Sequence, residues 1–249
     1  MTLAIIGGTG LTQIESLKVK QQQTLSTPYG EPSASYQITE LHGQTVIFLA
    51  RHGSPHRIPP HKINYRANIW GLKQLGVSRI IGVAAVGGIS AQTPPGCLII
   101  PDQIIDYSYG REHTFFADDL THVTHIDFTN PYTSDLRKEI IAVANANGIS
   151  VNQTGVYVCT QGPRLESAAE IKRLAQDGCD IVGMTGMPEA ALAKELEIAY
   201  ANISVVANWG AGIVDGEITM AEIEFNLQSG MQQAINLLDK FIASSTDQK

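Results

Sequence analysis

A single α/β domain with helices on both faces of a central sheet is the fold class this sequence predicts, on three observations. Short apolar runs rich in β-branched residues alternate with stretches of helical spacing along the chain. The length, 249 residues with 43% hydrophobic and 16% charged, suffices to bury one large core. No repeat, linker or low-complexity segment divides it, so residues 1–243 read as one domain and 244–249 as a disordered tail.

The elements follow in order. Residues 3–6 form a strand that ends in glycines, and 35–41 with 44–49 form a hairpin around His42-Gly43. Residues 64–75 have helical spacing, with Ile69, Leu72 and Leu75 on one side. A buried strand at 79–85 runs into Val86-Gly87-Gly88, and another strand spans 97–105. Residues 106–131 are irregular and rich in His, Asp and aromatics, longer than an ordinary loop and so suited to a functional or interface role. A helix at 134–147, a strand at 155–159, helices at 167–176 and 188–197, and a strand at 199–206 complete the alternation. The last helix starts at Thr219, with Glu222 three residues on as in a capping box.

Composition narrows the function. The net charge of -7 disfavours a general nucleic-acid binder, so any bound anion needs a local site. No apolar run approaches the roughly 20 residues of a membrane span. The N-terminus has no basic segment or cleavage site and reads as the first core strand, not a signal peptide. Cys97, Cys159 and Cys179 are widely separated and form no CxxC pair, which suggests a reducing compartment and a cytoplasmic location.

Five strand ends carry polar or glycine-rich sequence. Gly7-Gly8-Thr9-Gly10 can bring backbone N–H groups and a hydroxyl to a phosphate, or form a plain turn. Gln13 stands where a dinucleotide fingerprint needs a third glycine, which disfavours a Rossmann dehydrogenase. Arg51-His52-Gly53-Ser54-Pro55-His56 offers an arginine fork to an anion, or is a solvated basic loop. His52, His56 and His61 lack a nearby carboxylate or Cys, and prolines break any helix that would align them, so a metal is not expected. In Gln161-Gly162-Pro163-Arg164-Leu165-Glu166 the carboxylate also suits a helix start. Gly183-Met184-Thr185-Gly186-Met187-Pro188-Glu189 also reads as a helix entry, and Val205-Val206-Ala207-Asn208-Trp209-Gly210 as a strand end with a turn residue. Ligands of open α/β sheets bind outside strand ends, so the convergence favours a small anionic ligand without specifying a reaction. A non-catalytic nucleotide-binding module on the same sheet is the alternative from another class.

Together, Ile6-Gly7-Gly8-Thr9-Gly10-Leu11, Ala50-Arg51-His52-Gly53, Asn64-Tyr65-Arg66-Ala67-Asn68-Ile69-Trp70, Gly162-Pro163-Arg164 and Met184-Thr185-Gly186-Met187-Pro188-Glu189 resemble the trimeric purine nucleoside phosphorylase family, and its methylthioadenosine phosphorylase branch most. The resemblance spans residues 3–242. It implies a distorted mixed sheet, a homotrimer, no metal or organic cofactor, and inorganic phosphate as co-substrate. It also implies phosphorolysis, pentosyl transfer from a purine nucleoside to phosphate. Thr9, Arg51, His52 and Thr185 match the family's phosphate ligands, with backbone near Ala85. Met184 matches the residue under the ribose, and His125 the histidine that a neighbouring subunit inserts over the sugar. Leu165 falls in the same substrate-binding stretch as Glu166. Ala84 stands where the adenosine branch has a phosphate-binding Thr, a departure that affects one phosphate hydrogen bond.

Two further departures bear on the substrate. Methylthioadenosine phosphorylases read the base with two aspartates where this chain has Ala207-Asn208-Trp209-Gly210. Asn208 offers both a donor and an acceptor, and Glu166 matches the Glu that accepts N1–H in inosine- and guanosine-cleaving members. At the sugar end, Met220 aligns with the His that meets the 5′-hydroxyl in those members, and Ile223 follows one turn on. A thioether suits a methylthio group better. The resemblance therefore implies catalytic roles for Asn208, Glu166 and Arg51 and a hybrid substrate, 5′-methylthioinosine, as in the methylthioinosine-cleaving branch of the family. The alternatives are methylthioadenosine and inosine or guanosine.

Overall fold

The computed structural model describes residues 2–8, 19–118 and 120–245, and in them one mixed sheet of 11 strands. The strands are β1 (Thr2–Gly7), β2 (Gln21–Gln23), β3 (Tyr36–Leu41), β4 (Gln44–Ala50), β5 (Val77–Gly88), β6 (Leu98–Ile99), β7 (Gln103–Asp106), β8 (Val151–Asn152), β9 (Val156–Cys159), β10 (Ile181–Gly183) and β11 (Ala199–Trp209). The helices are α1 (Tyr65–Gln74), α2 (Ser134–Ala146), α3 (Ala168–Gln176), α4 (Gly186–Glu195) and α5 (Met220–Ser244).

Local chemistry explains their limits. β3 and β4 pair antiparallel around His42 (φ 50°) and Gly43 (φ 71°), the two left-handed residues of a tight hairpin turn. The Asn64 side chain accepts from Ala67 N and starts α1. At α3 the Ser167 and Glu170 side chains each serve the other's backbone N–H, a full capping box. At α5 Thr219 accepts from Glu222 N, and its hydroxyl meets the Glu222 carboxylate. In α4, Met187 has extended backbone angles (φ -120°, ψ 141°), so regular helix begins at Pro188, whose missing N–H costs nothing at a first position.

Alternation along the strands buries both faces of the sheet. Ala4, Ile6, Ile47, Leu49, Ile80 and Val206 face one core, shared with Ile69 and Leu72 of α1 and Ala190 and Leu192 of α4. Leu3, Ile5, Val46, Phe48, Ile81, Ile203 and Val205 face the other, shared with Leu136 and Ile140 of α2 and Leu237, Leu238 and Phe241 of α5. The α/β domain with helices on both faces is therefore as expected from the sequence.

Two boundaries differ. The strand expected at 97–105 is two short strands: β6 pairs with β11 and β8, and β7 pairs with β9. Pro101 lies between them and cannot donate to a ladder. The tail expected from 244 begins inside α5, where the Ser244 and Ser245 hydroxyls donate to Phe241 O at 2.9 and 3.0 Å. Residues 246–249 lie outside the described residues. No helix among the described residues is long and apolar enough to cross a membrane.

One feature of the sheet makes room for a site. β11 pairs with β5 along residues 79–88. On the other edge of β5, β1 pairs in parallel up to Gly82, and β10 pairs antiparallel from Gly87. The C-terminal ends of β1 and β10 therefore face each other, and among the described residues no strand fills the interval between them.

Candidate active site

The interval in β5 is the floor of a cavity of about 760 Å³. Val83, Ala84, Ala85, Val86 and Gly87 line the floor, and the ends of β1, β4, β10 and β11 supply Gly8, Arg51, Met184 and Asn208 to the walls. Ala85 is exposed in the middle of a central strand because it opens onto this space.

Four of the residues assigned to phosphate by resemblance, Arg51, His52, Ala85 and Thr185, line this one cavity. Thr9 lies outside the described residues. Arg51 is fully buried and forms a bidentate ion pair with Glu189: Nε donates to Oε2 at 2.7 Å and Nη2 to Oε1 at 2.8 Å. Nη1 donates to Val83 O at 2.9 Å and Nη2 to Ile6 O at 3.2 Å. Burial opposes the guanidinium charge, but the Glu189 carboxylate outweighs it and holds the arginine firmly protonated. Of the five N–H groups of a guanidinium, only one on Nη1 has no partner among the described residues.

The His52 Nδ1 lies 2.9 Å from Ile58 O and must donate, since a carbonyl only accepts. Burial, then the Arg51 charge, lowers its pKa from 6.5 to about 4, so the ring is neutral and Nε2 is an acceptor. Its ring stacks on His56, with centroids 4.3 Å apart. Among the described residues no group of His, Cys, Asp and Glu has the arrangement of a metal site. Thr185 is buried, two residues past the end of β10 at the N-cap of α4, with its side chain capping no backbone N–H.

Glu166, Leu165, Met184 and Asn208 also line the cavity. Asn208 stands at an irregularity in the β11 register, and its Nδ2 donates to Trp209 O at 2.7 Å. That bond uses one amide N–H and leaves a donor and an acceptor. Glu166 Oε1 accepts from the Thr160 hydroxyl at 2.7 Å. The helix-start role open to Glu166 belongs instead to Glu170. Gly162 (φ 61°) lies so close against Met184 that an added Cβ would collide with its sulfur.

Ile218, Ile223, Leu227 and Met231 close the cavity with an apolar wall. The last three are four residues apart and share one face of α5. Met220 does not belong with them. It is the first residue of α5, is 65% exposed and does not line the cavity. Ile223 does, and the apolar lining that α5 gives the cavity comes from residues one to three turns deeper in the helix than Met220. His125 is exposed in the irregular segment and does not line the cavity of its own chain.

Sequence reasoning missed three residues. Glu189 was legible only as a first-turn helix carboxylate; it is 1% exposed, pairs with Arg51 and accepts from the Tyr200 hydroxyl at 2.8 Å. Arg111, in the long irregular segment, is buried without a carboxylate partner among the described residues. It donates to the carbonyls of Thr160, Gln161 and Met184 at 3.1, 2.9 and 2.9 Å and to that of Met187. Thr160 follows β9 and meets Glu166. Arg51 and Glu189 are 138 residues apart and the carbonyls that Arg111 holds lie 49 to 76 residues on, while Thr160 and Glu166 meet inside one loop that has no helix or strand periodicity to mark them.

Comparison with known proteins matches this arrangement. The sequence profile of the Phosphorylase superfamily matches residues 2–243. The chain is 55% identical over 242 residues to a probable S-methyl-5′-thioinosine phosphorylase of Pseudomonas syringae pv. tomato, covering 97% of this chain and 98% of that protein. It is 43% identical to the 6-oxopurine nucleoside phosphorylase of Pyrococcus furiosus, covering 95% and 90%. Among solved structures, it is similar to methylthioadenosine phosphorylase from Schistosoma mansoni in complex with adenine, with a TM-score of 0.94, 27% identity, and 100% and 93% of the two chains covered. A methylthioadenosine phosphorylase from an antarctic soil metagenomic library gives a TM-score of 0.92 at 36% identity, covering 99% and 86%. A cavity at converging strand ends, with matching sequence and fold over nearly the whole chain, places this protein in the phosphorylase superfamily, to which it belongs.

Proposed function

We propose that this protein is a pentosyltransferase that cleaves 5′-methylthioinosine with inorganic phosphate, giving hypoxanthine and 5-methylthioribose 1-phosphate for salvage. The observation that carries the reading is that Glu166 and Asn208 line the same cavity as the apolar residues Ile218, Ile223, Leu227 and Met231. An acceptor and an amide suit the N1–H and carbonyl of a 6-oxopurine. An apolar wall suits a methylthio group. The names of the relatives, S-methyl-5′-thioinosine phosphorylase and 6-oxopurine nucleoside phosphorylase, support both halves.

In this reading phosphate lies over Ala85 between Arg51, His52 and Thr185, and Thr9 is the further ligand that the family resemblance implies. Arg51 contributes its remaining N–H, and the neutral His52 accepts the P–OH of hydrogen phosphate through Nε2. Phosphate meets C1′ of an oxocarbenium-like sugar as the C1′–N9 bond breaks, so catalysis is positioning and electrostatic stabilisation. Asn208 donates to the purine as negative charge builds on it. Glu166 accepts N1–H, and Met184 lies under the sugar. No covalent intermediate and no metal or organic cofactor is required. The protein acts in the cytoplasm as a homotrimer, each site completed by His125 of a neighbouring subunit.

A substrate panel tests this: methylthioinosine, methylthioadenosine, inosine and adenosine, each with and without phosphate. Methylthioinosine is expected to have the highest kcat/KM, and base release to require phosphate. Methylthioadenosine cleaved as well as methylthioinosine would overturn the base assignment. Inosine cleaved as well would overturn the sugar assignment and leave a general 6-oxopurine phosphorylase.

A further inference from the structure

Glu166 lies between two cavities. One is the site described above. The other is a cleft of about 220 Å³ lined by Thr160, Gln161, Arg164, Glu166 and Glu170, among others. In that second cleft Arg164 offers a cation, already shared with Glu170 at 2.8 Å. Glu166 therefore borders both the space that would hold a purine and a cleft that holds a cation.

Thr160 fixes one of its oxygens. Its hydroxyl has one proton and two acceptors in reach, Glu166 Oε1 at 2.7 Å and Gly183 O at 3.3 Å. The Gly183 carbonyl already takes the Thr160 backbone N–H at 2.8 Å. The shorter bond to a carboxylate is the stronger. The donor is also fixed in place. Thr160 N is tied to Gly183 at the end of β10, and Thr160 O accepts from Arg111, which also holds the Met184 carbonyl. The hydroxyl thus projects from a backbone fastened on both sides, and it occupies Oε1 so that Oε2 is left for the base.

We propose that Thr160 is a positioning residue for base recognition: from the side of the second cleft its hydroxyl pins Oε1 of Glu166 at the border of the two spaces, leaves Oε2 for the base, and so sets the preference for 6-oxopurines. This rests on the reading of Glu166 as the N1–H acceptor. A valine keeps the shape of Thr160 and removes the hydroxyl.

The experiment compares kcat/KM for methylthioinosine and methylthioadenosine in the wild type, T160V, T160A, T160S and E166Q, with phosphate KM and thermal melting alongside. Loss of a hydrogen bond to a charged group predicts a fall in the methylthioinosine-to-methylthioadenosine ratio of about tenfold in T160V, largely in nucleoside KM. T160S should restore the ratio, and phosphate KM should not move. A merely structural role for Thr160 would lower the melting temperature and leave the ratio intact; T160A supplies the same comparison if T160V does not fold. A ratio unchanged in the hydroxyl-free variants but collapsed in E166Q would overturn the positioning role and keep the Glu166 reading. A ratio unchanged in E166Q would overturn that reading and the positioning role with it.

Discussion

Arg51 and Glu189 hold opposite charges 2.7 Å apart, with side-chain exposures of 2% and 1%. Removing one partner of such a pair strands the other charge away from water. Glu189→Gln is therefore expected to destabilise the fold by about 3–5 kcal/mol, measured by urea unfolding. An undiminished midpoint would show that the arginine finds other compensation. His52 sets a pH dependence of definite sign. Its folded pKa of about 4 lies below the ordinary 6.5, chiefly through burial. Between these values the unfolded chain binds the proton and the folded one does not. This stability is present above 6.5 and is lost as pH falls toward 4. His52→Asn should reduce the rise of unfolding free energy with pH in that window, by up to about one proton's worth of slope. An identical slope in the variant would show that His52 titrates alike in both states. The types of both residues stood in the sequence as candidate anion ligands. The counter-charge of Arg51 did not, because Glu189 is 138 residues away.

At the scale of the element, α5 supplies much of the cavity's apolar lining. Ile223, Leu227 and Met231 line the cavity, while Met220 lies 65% exposed at the helix start. Leu227→Asn is expected to lower the preference for methylthioinosine over inosine by about tenfold, within the range a hydrophobic pocket can supply. Met220→His should shift that preference by less than about threefold, since an exposed side chain has no differential contact to lose. Steady-state kinetics on both nucleosides checks the pair, and a larger effect at Met220 would reverse the assignment. The helix itself was legible from its spacing and its Thr219 cap. Which turn meets the cavity was not, because periodicity gives the face of a helix but not the depth at which it crosses a sheet. The break at Pro101 had a visible cause, yet only the partners β8, β9 and β11 split the run into two strands.

At the scale of the whole molecule, the long irregular segment carries His125 on the surface of its own chain. If a neighbouring subunit receives it, mixing an inactive His125→Ala protein with an inactive Asn208→Ala protein should restore activity, because some hybrid sites hold neither change. Light scattering should give a trimer. No recovery after demonstrated subunit exchange would count against a shared site.

The sequence by itself determined the α/β class, most strands and helices, and the residue types available at the strand ends, because these follow from local periodicity, capping and turn chemistry. Tertiary structure alone decided the site. The C-terminal ends of β1 and β10 meet along β5 from opposite directions and leave its middle open. Arg51 is neutralised by Glu189, and Arg111 clamps four carbonyls. The physical reason is that a strand's pairing partner, and a buried charge's counter-charge, are chosen among all segments at once by burial and hydrogen-bond satisfaction, which no local window of sequence encodes.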